Sequence, residues 1–226
     1  SPCHEAFAFA DGVTVGNASL SSGRSVAVRW IDGAPEVIAD LGGNFAAAYS
    51  IDSNGTIVGR AFSVNENGFN VSNAFRWDDG ELTVLPSFNS TWTGAYAIDD
   101  STGYIVGYAN LPGPGGARAG IWIDDVVYDL NERIVTGLPE GTLLSNARGA
   151  AGGYIAALGN QRAYRLVPVP TADVDGDGTV GVTDLVALIT SWGPCPVDGP
   201  CWADVDENGS VDVTDLVTLI TSWSTP

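Results

Sequence analysis

Two stretches near the C-terminus carry oxygen-bearing side chains at the same spacing, starting 31 positions apart at residues 173 and 204. A calcium ion takes about six to eight oxygen ligands, and a loop supplies them from its positions 1, 3, 5, 7 and 12. The first loop places at those positions Asp173, Asp175, Asp177, Thr179 and Asp184. The second loop places there Asp204, Asp206, Asn208, Ser210 and Asp215. The residue types and their spacing therefore predict two bound calcium ions.

The other loop positions fit the same chemistry. Gly178 and Gly209 at position 6 allow the sharp turn, and position 7 would offer its backbone carbonyl. At position 9, Gly181 and Asp212 would act through a water or not at all. The competing interpretation is two Asp-Gly turns in a solvated tail. Two complete loops at one offset, each followed by a matching helix, favour the metal.

Each loop leads into a short amphipathic helix. Apolar residues recur at helical spacing after each loop, at Leu185, Leu188, Ile189 and Trp192 and again at Leu216, Leu219, Ile220 and Trp223. We expect the two helices to bury one shared stripe. A core this small needs a metal or a disulfide. Cys195 and Cys201 are close enough to form a small disulfide loop in an oxidising compartment, which leaves Cys3 as a buried thiol, a free thiol or a bridge to another chain.

Residues 172–226 resemble a type I dockerin, because they combine two loop-helix repeats, Asp at loop position 12 and no helix before the first loop. The resemblance implies docking to a cohesin receptor through helix residues near loop positions 10 and 11. Those residues are Val182, Thr183, Val213 and Thr214. Since both copies carry the same pair, it also implies two binding orientations. The insert from Gly193 to Ala203 departs from the pattern and resembles a Gly-Cys-containing dockerin variant of environmental bacteria, for which a cohesin partner does not follow.

The composition narrows the classes of partner. The net charge is −18 and all nine basic residues are Arg, while residues 171–226 contain ten acids and no Arg. Nucleic acid is therefore excluded as a partner, and calcium would relieve self-repulsion in the tail. No stretch approaches the roughly 18 to 20 apolar residues of a membrane span. The absence of Met predicts that a signal peptide has been removed and that the protein is extracellular or on the cell surface.

The rest of the chain is a second repeat system built on a Gly-x-x-x-Gly strand. The copies are Gly12–Gly16, Gly55–Gly59, Gly103–Gly107 and the degenerate Gly153–Ala157. Each copy lies between a small-residue strand and a strand with a large apolar anchor, and a fourth strand follows in the first three units. This period predicts a mainly β fold of about four sheet units, either propeller-like or an open stack.

These units resemble the HAF repeat of secreted bacterial proteins. The residues that carry the resemblance are Ala97-Ile98-Asp99, Ile105-Val106-Gly107 and Ala74-Phe75-Arg76-Trp77. The resemblance implies a propeller-like all-β fold and no particular activity. We therefore divide the chain into a β-repeat domain (1–167), a Pro-containing linker (168–171) and a dockerin-like domain (172–226).

The missing fourth strand of the last unit would leave a sheet edge unpaired. Residues 1–9 or a strand of a neighbouring copy would fill the gap, or a loop or the linker would cover it within one chain. An unpaired edge is a template for another strand. Head-to-tail assembly is therefore one of our expectations.

Signs of catalysis are weak. The only histidine is His4, and the acid pairs Asp78-Asp79, Asp99-Asp100 and Asp124-Asp125 lie at strand ends, where Asp favours turns. Trp30, Trp77 and Trp122 share one repeat position and are expected in the core, which leaves Trp92 as the better sugar-stacking candidate. The sequence thus favours a non-enzymatic, secreted subunit of an extracellular surface structure or filament, docked to copies of itself or to a cohesin-like receptor. The alternative is a glycan- or surface-recognition module on a cohesin scaffold.

Overall fold

The structure is a computed structural model, and it describes residues 4–134, 137–167, 172–175, 177, 179–196, 201–206 and 208–223. Residues 4–134 and 138–167 form one compact unit, and residue 137 with those from 172 to 223 belongs to a second. The proposed linker at 168–171, Gly178 and Cys3 lie outside the described residues. The chain is mainly β, with two short helices near its C-terminus.

The first unit consists of four antiparallel sheets in which the strands follow chain order. The first sheet contains β1 His4–Ala10, β2 Val13–Ser19, β3 Ser25–Ile31 and β4 Ala34–Ala39. The second contains β5 Gly42–Ile51, β6 Ile57–Val64, β7 Asn70–Asp78 and β8 Glu81–Val84. The third contains β9 Thr93–Ile98, β10 Ile105–Asn110, β11 Ala117–Ile123 and β12 Val126–Asp129. The fourth contains β13 Leu144–Ala151, β14 Tyr154–Gly159 and β15 Arg162–Leu166. Two single 3₁₀ turns lie at Gly113–Gly115 and Leu130–Glu132.

Successive sheets pack face to face in a propeller-like arrangement of four blades. The first and second sheets enclose a core around Val15, Ile57 and Phe75. The second and third enclose Val58 and Trp122, and further apolar clusters continue into the fourth sheet. Trp77 and Trp122 are buried, 5% and 1% exposed. The predicted mainly β fold of four sheet units, the last with three strands, is confirmed.

The acid pairs form turns. Asp79 and Gly80 connect β7 to β8, and Asp124 and Asp125 connect β11 to β12, all with positive φ. Two-residue hairpins with positive φ at both positions match the twist of the flanking strands, and Asp and Gly tolerate that conformation best. The turn interpretation of these acids accounts for their positions.

The third acid pair connects neighbouring sheets. The Asp99 carboxylate accepts the N–H of Ser101 at 2.8 Å and that of Gly153, in the fourth sheet's first turn, at 2.6 Å. Asp100 accepts the N–H of Ser53, in the second sheet's turn, at 2.6 Å. Burial alone would raise the pKa of Asp99, but these hydrogen bonds and the Ser101 hydroxyl lower it. The pair is thus a structural link between blades.

A β-bulge in the first strand of every sheet explains the repeated glycines. The bulged residues are Phe7, Tyr49, Tyr96 and Arg148. Opposite the bulges of the first three sheets, the neighbouring backbone comes so close to the second glycine of Gly-x-x-x-Gly that a Cβ there would collide with a carbonyl oxygen; the fourth sheet has Ala157 at this position. The glycines concerned are Gly16, Gly59 and Gly107, beside the oxygens of Glu5, Ala47 and Gly94. The second glycine of the repeat is therefore required by a close contact with the neighbouring backbone.

The first and last strands of the β-repeat body answer the question of the missing fourth strand. Residues 4–10 pair with β2, so the expectation that the N-terminal segment fills the gap in the fourth sheet is wrong. Among the described residues, β15 pairs only with β14. On the outer face of the fourth sheet, Tyr154 and Leu158 are 45% and 40% exposed. Within the described residues, the fourth sheet thus ends at β15, beside an exposed sheet face.

The second unit contains α1 Val182–Thr190, α2 Val213–Thr221 and a short β16–β17 pair, Gly193–Pro194 with Ser210–Val211. Leu188 and Leu219 are fully buried as expected. The other fully buried members of this core precede the helices: Ala172 and Ala203 lie just before the loops, and Val180 and Val211 lie within them. Leu185 and Leu216 are partly buried against this core. The expectation that Ile189, Trp192, Ile220 and Trp223 share the buried stripe is wrong, because they are 54%, 51%, 55% and 37% exposed. Alanine and valine residues before and within the loops complete the core instead.

Candidate metal centre

The first acidic loop gathers three carboxylates at one point. Oxygens of Asp173, Asp175 and Asp177 lie within 4.8 Å of one another. The backbone N–H of Asp177 donates to Asp173 and to Asp175, both at 3.1 Å. At position 12, the Asp184 carboxylate accepts the N–H groups of Asp175 at 3.1 Å and of Gly181 at 2.7 Å. These bonds hold the loop closed around the acids.

The second loop gathers carboxylates from its positions 1, 3 and 12. Oxygens of Asp204, Asp206 and Asp215 lie within 4.8 Å of one another. Asp215 accepts the N–H groups of Val205 at 2.6 Å, Asp206 at 3.1 Å and Asp212 at 2.8 Å. Gly209 has φ +94°, as the sharp turn at position 6 requires.

Electrostatics point to a cation at both loops. Asp184 and Asp215 are fully buried, and residues 171–226 contain no Lys or Arg that could pair with them. Burying unpaired carboxylates and crowding three acids are both costly. A divalent cation would offset both costs, and an all-oxygen donor set suits calcium.

The remaining predicted ligands form hydrogen bonds within their own loops. The Thr179 hydroxyl and its N–H donate to Asp177 at 2.6 and 2.8 Å, and together they lower the pKa of that carboxyl. Ser210 donates to Asn208 in the same way, at 2.8 and 3.0 Å. Asp212 caps α2 by accepting the Thr214 N–H at 2.8 Å, which lowers the pKa of Asp212. The backbone carbonyls of positions 7 stay predicted ligands.

A disulfide joins Cys195 to Cys201 across 5.6 Å between their Cα atoms. The expected pairing is therefore present. The disulfide lies next to Asp204, the first residue of the second loop. Since both sulfurs are consumed by the bond, they are not available as thiolate ligands.

Both helices present an exposed apolar stripe, which the sequence pattern only partly revealed. Stripe 1 is Val182, Val186 and Ile189, and stripe 2 is Val213, Val217 and Ile220. Their side chains are 54% to 67% exposed. The predicted docking residues Val182 and Val213 belong to the stripes, and Thr183 and Thr214 are exposed beside them. The Thr214 hydroxyl, however, lies 2.6 Å from Asp206 in the loop. The surface is thus more apolar and longer than predicted.

The comparison with known families concerns this unit. Residues 171–224, which contain both loops and both helices, match the family model of the type I dockerin domain. The predicted dockerin resemblance is confirmed, and dockerin domains bind calcium. No curated protein matches the chain, so the HAF resemblance of the β-repeat body stays a prediction. In the described part of the chain, no helix has the length and apolar character needed to cross a membrane.

Proposed function

We propose that this chain is a non-enzymatic, secreted assembly protein whose dockerin-like module holds two calcium ions and docks to a cohesin-like domain or to a neighbouring copy. Within that class we favour a subunit of an extracellular surface structure or filament. The observation that carries the proposal is the pair of matching, exposed apolar stripes on two helices, each of which follows an acidic loop with a buried carboxylate at position 12.

The stripes fit a protein partner. Small modules keep apolar side chains exposed at a cost, and contiguous exposed apolar residues mark interaction sites. Because stripes 1 and 2 are offset by 31 residues in matching repeats, either helix can present the same chemistry to one receptor. This duplication supports docking in two orientations.

The β-repeat body supports the assembly role. The open edge of β15 and the exposed face around Tyr154 are the surfaces on which a further strand or blade would add. The acid pairs serve turns and blade links, which supports a body without catalytic machinery. The Cys195–Cys201 disulfide suits an oxidising environment, and dockerin proteins are typically extracellular or on the cell surface, which supports export with a signal peptide.

Charge placed on the stripes tests the docking. Val186→Glu or Val217→Glu alone removes one of two equivalent faces and should weaken docking only about twofold, or about 0.4 kcal/mol. The double variant buries a charge in either orientation and should lose at least about 30-fold. Binding to immobilised type I cohesin domains and to immobilised copies of the chain is measured by interferometry in calcium.

Val126→Glu is the matched control, because Val126 is 49% exposed on the β-repeat body. It should leave docking unchanged. A double variant that docks as tightly as the unaltered chain would show that the stripes are not the interface.

The second candidate function is glycan or surface recognition by the β-repeat body. Trp92, the predicted sugar-stacking residue, is 41% exposed and contacts Phe62 edge-on, with 5.6 Å between ring centroids. It is one end of a larger aromatic cluster, which carries the next inference.

A further inference from the structure

The four bulges align their side chains in one row. Phe7 contacts Tyr49 with 5.3 Å between ring centroids, Tyr49 contacts Tyr96 at 5.1 Å, and the Arg148 guanidinium lies 4.1 Å from the Tyr96 ring. A bulge re-aims a side chain away from the regular pleat, and bulges recur next to functional sites. The same bulge, repeated in four sheets, thus places three aromatic rings and one guanidinium group in a continuous row. We call these four residues the bulge row.

A second cation lies beside the row. Tyr108 stacks on Tyr96 with 5.8 Å between centroids, and its hydroxyl accepts a long bond, 3.4 Å, from Arg60. The Arg60 guanidinium also faces Phe45 and Phe62, at 5.2 and 5.3 Å from their centroids. Burial raises the pKa of Tyr49 despite the opposing charge of Arg60, so the phenol stays a neutral hydrogen-bond donor.

Neither arginine of this site forms an ion pair with any acid that the structure describes. Arg24, Arg29, Arg76 and Arg118 each form an ion pair with Asp or Glu. Among the described residues, no carboxylate lies within ion-pair distance of Arg60 or Arg148, and the buried Nε of Arg60 has no hydrogen-bond partner. The described part of the chain therefore supplies no acid partner to either guanidinium group, although a net charge of −18 makes carboxylates abundant. A carboxylate bound to either guanidinium would provide a charged acceptor that the protein itself does not supply.

We propose that the bulge row, with Tyr108, Arg60 and Trp92, is a binding site for a short chain of carboxylated sugars. Aromatic faces provide the apolar contact that sugar rings need, and guanidinium groups bind carboxylates through paired, charge-assisted hydrogen bonds. Arg60 belongs to the second sheet and Arg148 to the fourth, whereas Tyr96 and Tyr108 belong to the third. A ligand that pairs with both guanidinium groups must therefore carry more than one acidic group. A neutral sugar would use the rings and leave the cations without partners.

Binding of trigalacturonic acid to the full chain, measured by calorimetry at constant free calcium, tests the site. Its trimethyl ester is the neutral probe of matched shape. We expect the acid to bind at least about tenfold more tightly than the ester. Arg60→Gln and Arg148→Gln should each reduce acid binding by at least about fivefold and leave ester binding nearly unchanged, whereas Trp92→Ala should weaken both probes.

Arg165→Gln is the matched control, because Arg165 lies over the Tyr154 ring at 5.4 Å but outside the row; it should bind the acid normally. Thermal unfolding shows whether Arg60→Gln remains folded. Because Arg148 is exposed, Arg148→Gln should not affect folding and gives a second test of the site. Equal binding of acid and ester, no binding of the acid, or an equal loss in Arg165→Gln would overturn the proposal. The Val186→Glu, Val217→Glu double variant should keep sugar binding, which separates this site from docking.

Discussion

A chain in which Asp184 and Asp215 are both replaced by asparagine will lose calcium binding by at least about 100-fold, and its C-terminal module will unfold at ordinary temperature. Each carboxylate is fully buried and uses both oxygens to accept backbone N–H groups. An amide offers only one acceptor and no charge, so it loses both a hydrogen bond and the metal. Calcium at about a thousand times its Kd contributes about 4 kcal/mol, which is most of what so small a core can supply.

The loss is measured by calcium titration calorimetry and by the thermal unfolding of the module, followed through Trp202 and Trp223 fluorescence. The unaltered chain in chelator should resemble the double variant, whereas the transition of the β-repeat body should not move. Asp79→Asn, in an exposed turn of the body, is the control and should bind calcium normally. Calcium affinity equal to that of the unaltered chain in the double variant would refute the assigned ligands.

Gly107→Ala will destabilise the β-repeat body by about 3 kcal/mol. Its Cβ would meet the backbone carbonyl of Gly94 at the bulge of β9, and backbone atoms in a buried central strand cannot move aside without breaking the ladder. Denaturant unfolding of the body measures the loss. The effect should leave calcium binding unchanged, because the loops belong to the other compact unit.

Gly120→Ala is the matched control for this change. Gly120 is the strand partner of Gly107, but its Cβ would meet only ordinary contacts, 3.5 Å from the Trp122 ring and 3.7 Å from the Ala109 nitrogen. We expect a change within about 0.5 kcal/mol for it. Equal losses in the two variants would show that general crowding, and not the bulge, explains the repeated glycine.

The sequence revealed the features that repeat. Two copies of the acidic loop identified the metal-binding chemistry, and the recurring Gly-x-x-x-Gly strand predicted the four sheet units. Periodicity was less informative within the helices, since Ile189 and Trp192 share the helical spacing of core residues but face solvent. The core uses Val180 and Val211 instead, at loop position 8, where a single apolar residue leaves no periodic signal.

The bulge row was not predictable because a bulge shifts one residue out of the alternation on which strand patterns depend. Tyr49 and Tyr96 therefore look like ordinary strand residues in the sequence. The register that defines the bulges is visible only in the pairing of the strands: Gly59 pairs with Ala48, and Gly107 with Ala95. Arg60 gave no signal, since only the structure places it among aromatic rings without a carboxylate.

The central claim is that calcium-held modules join these chains into an extracellular assembly. Negative-stain electron microscopy of native secreted material, with calcium and after chelation, tests it most directly. We predict ordered fibres or sheets that contain this chain and that come apart when calcium is removed, because each joint depends on helices that the loops anchor. Dispersed single particles in both conditions would contradict the assembly role and would favour a recognition module that docks singly to a cohesin-bearing receptor.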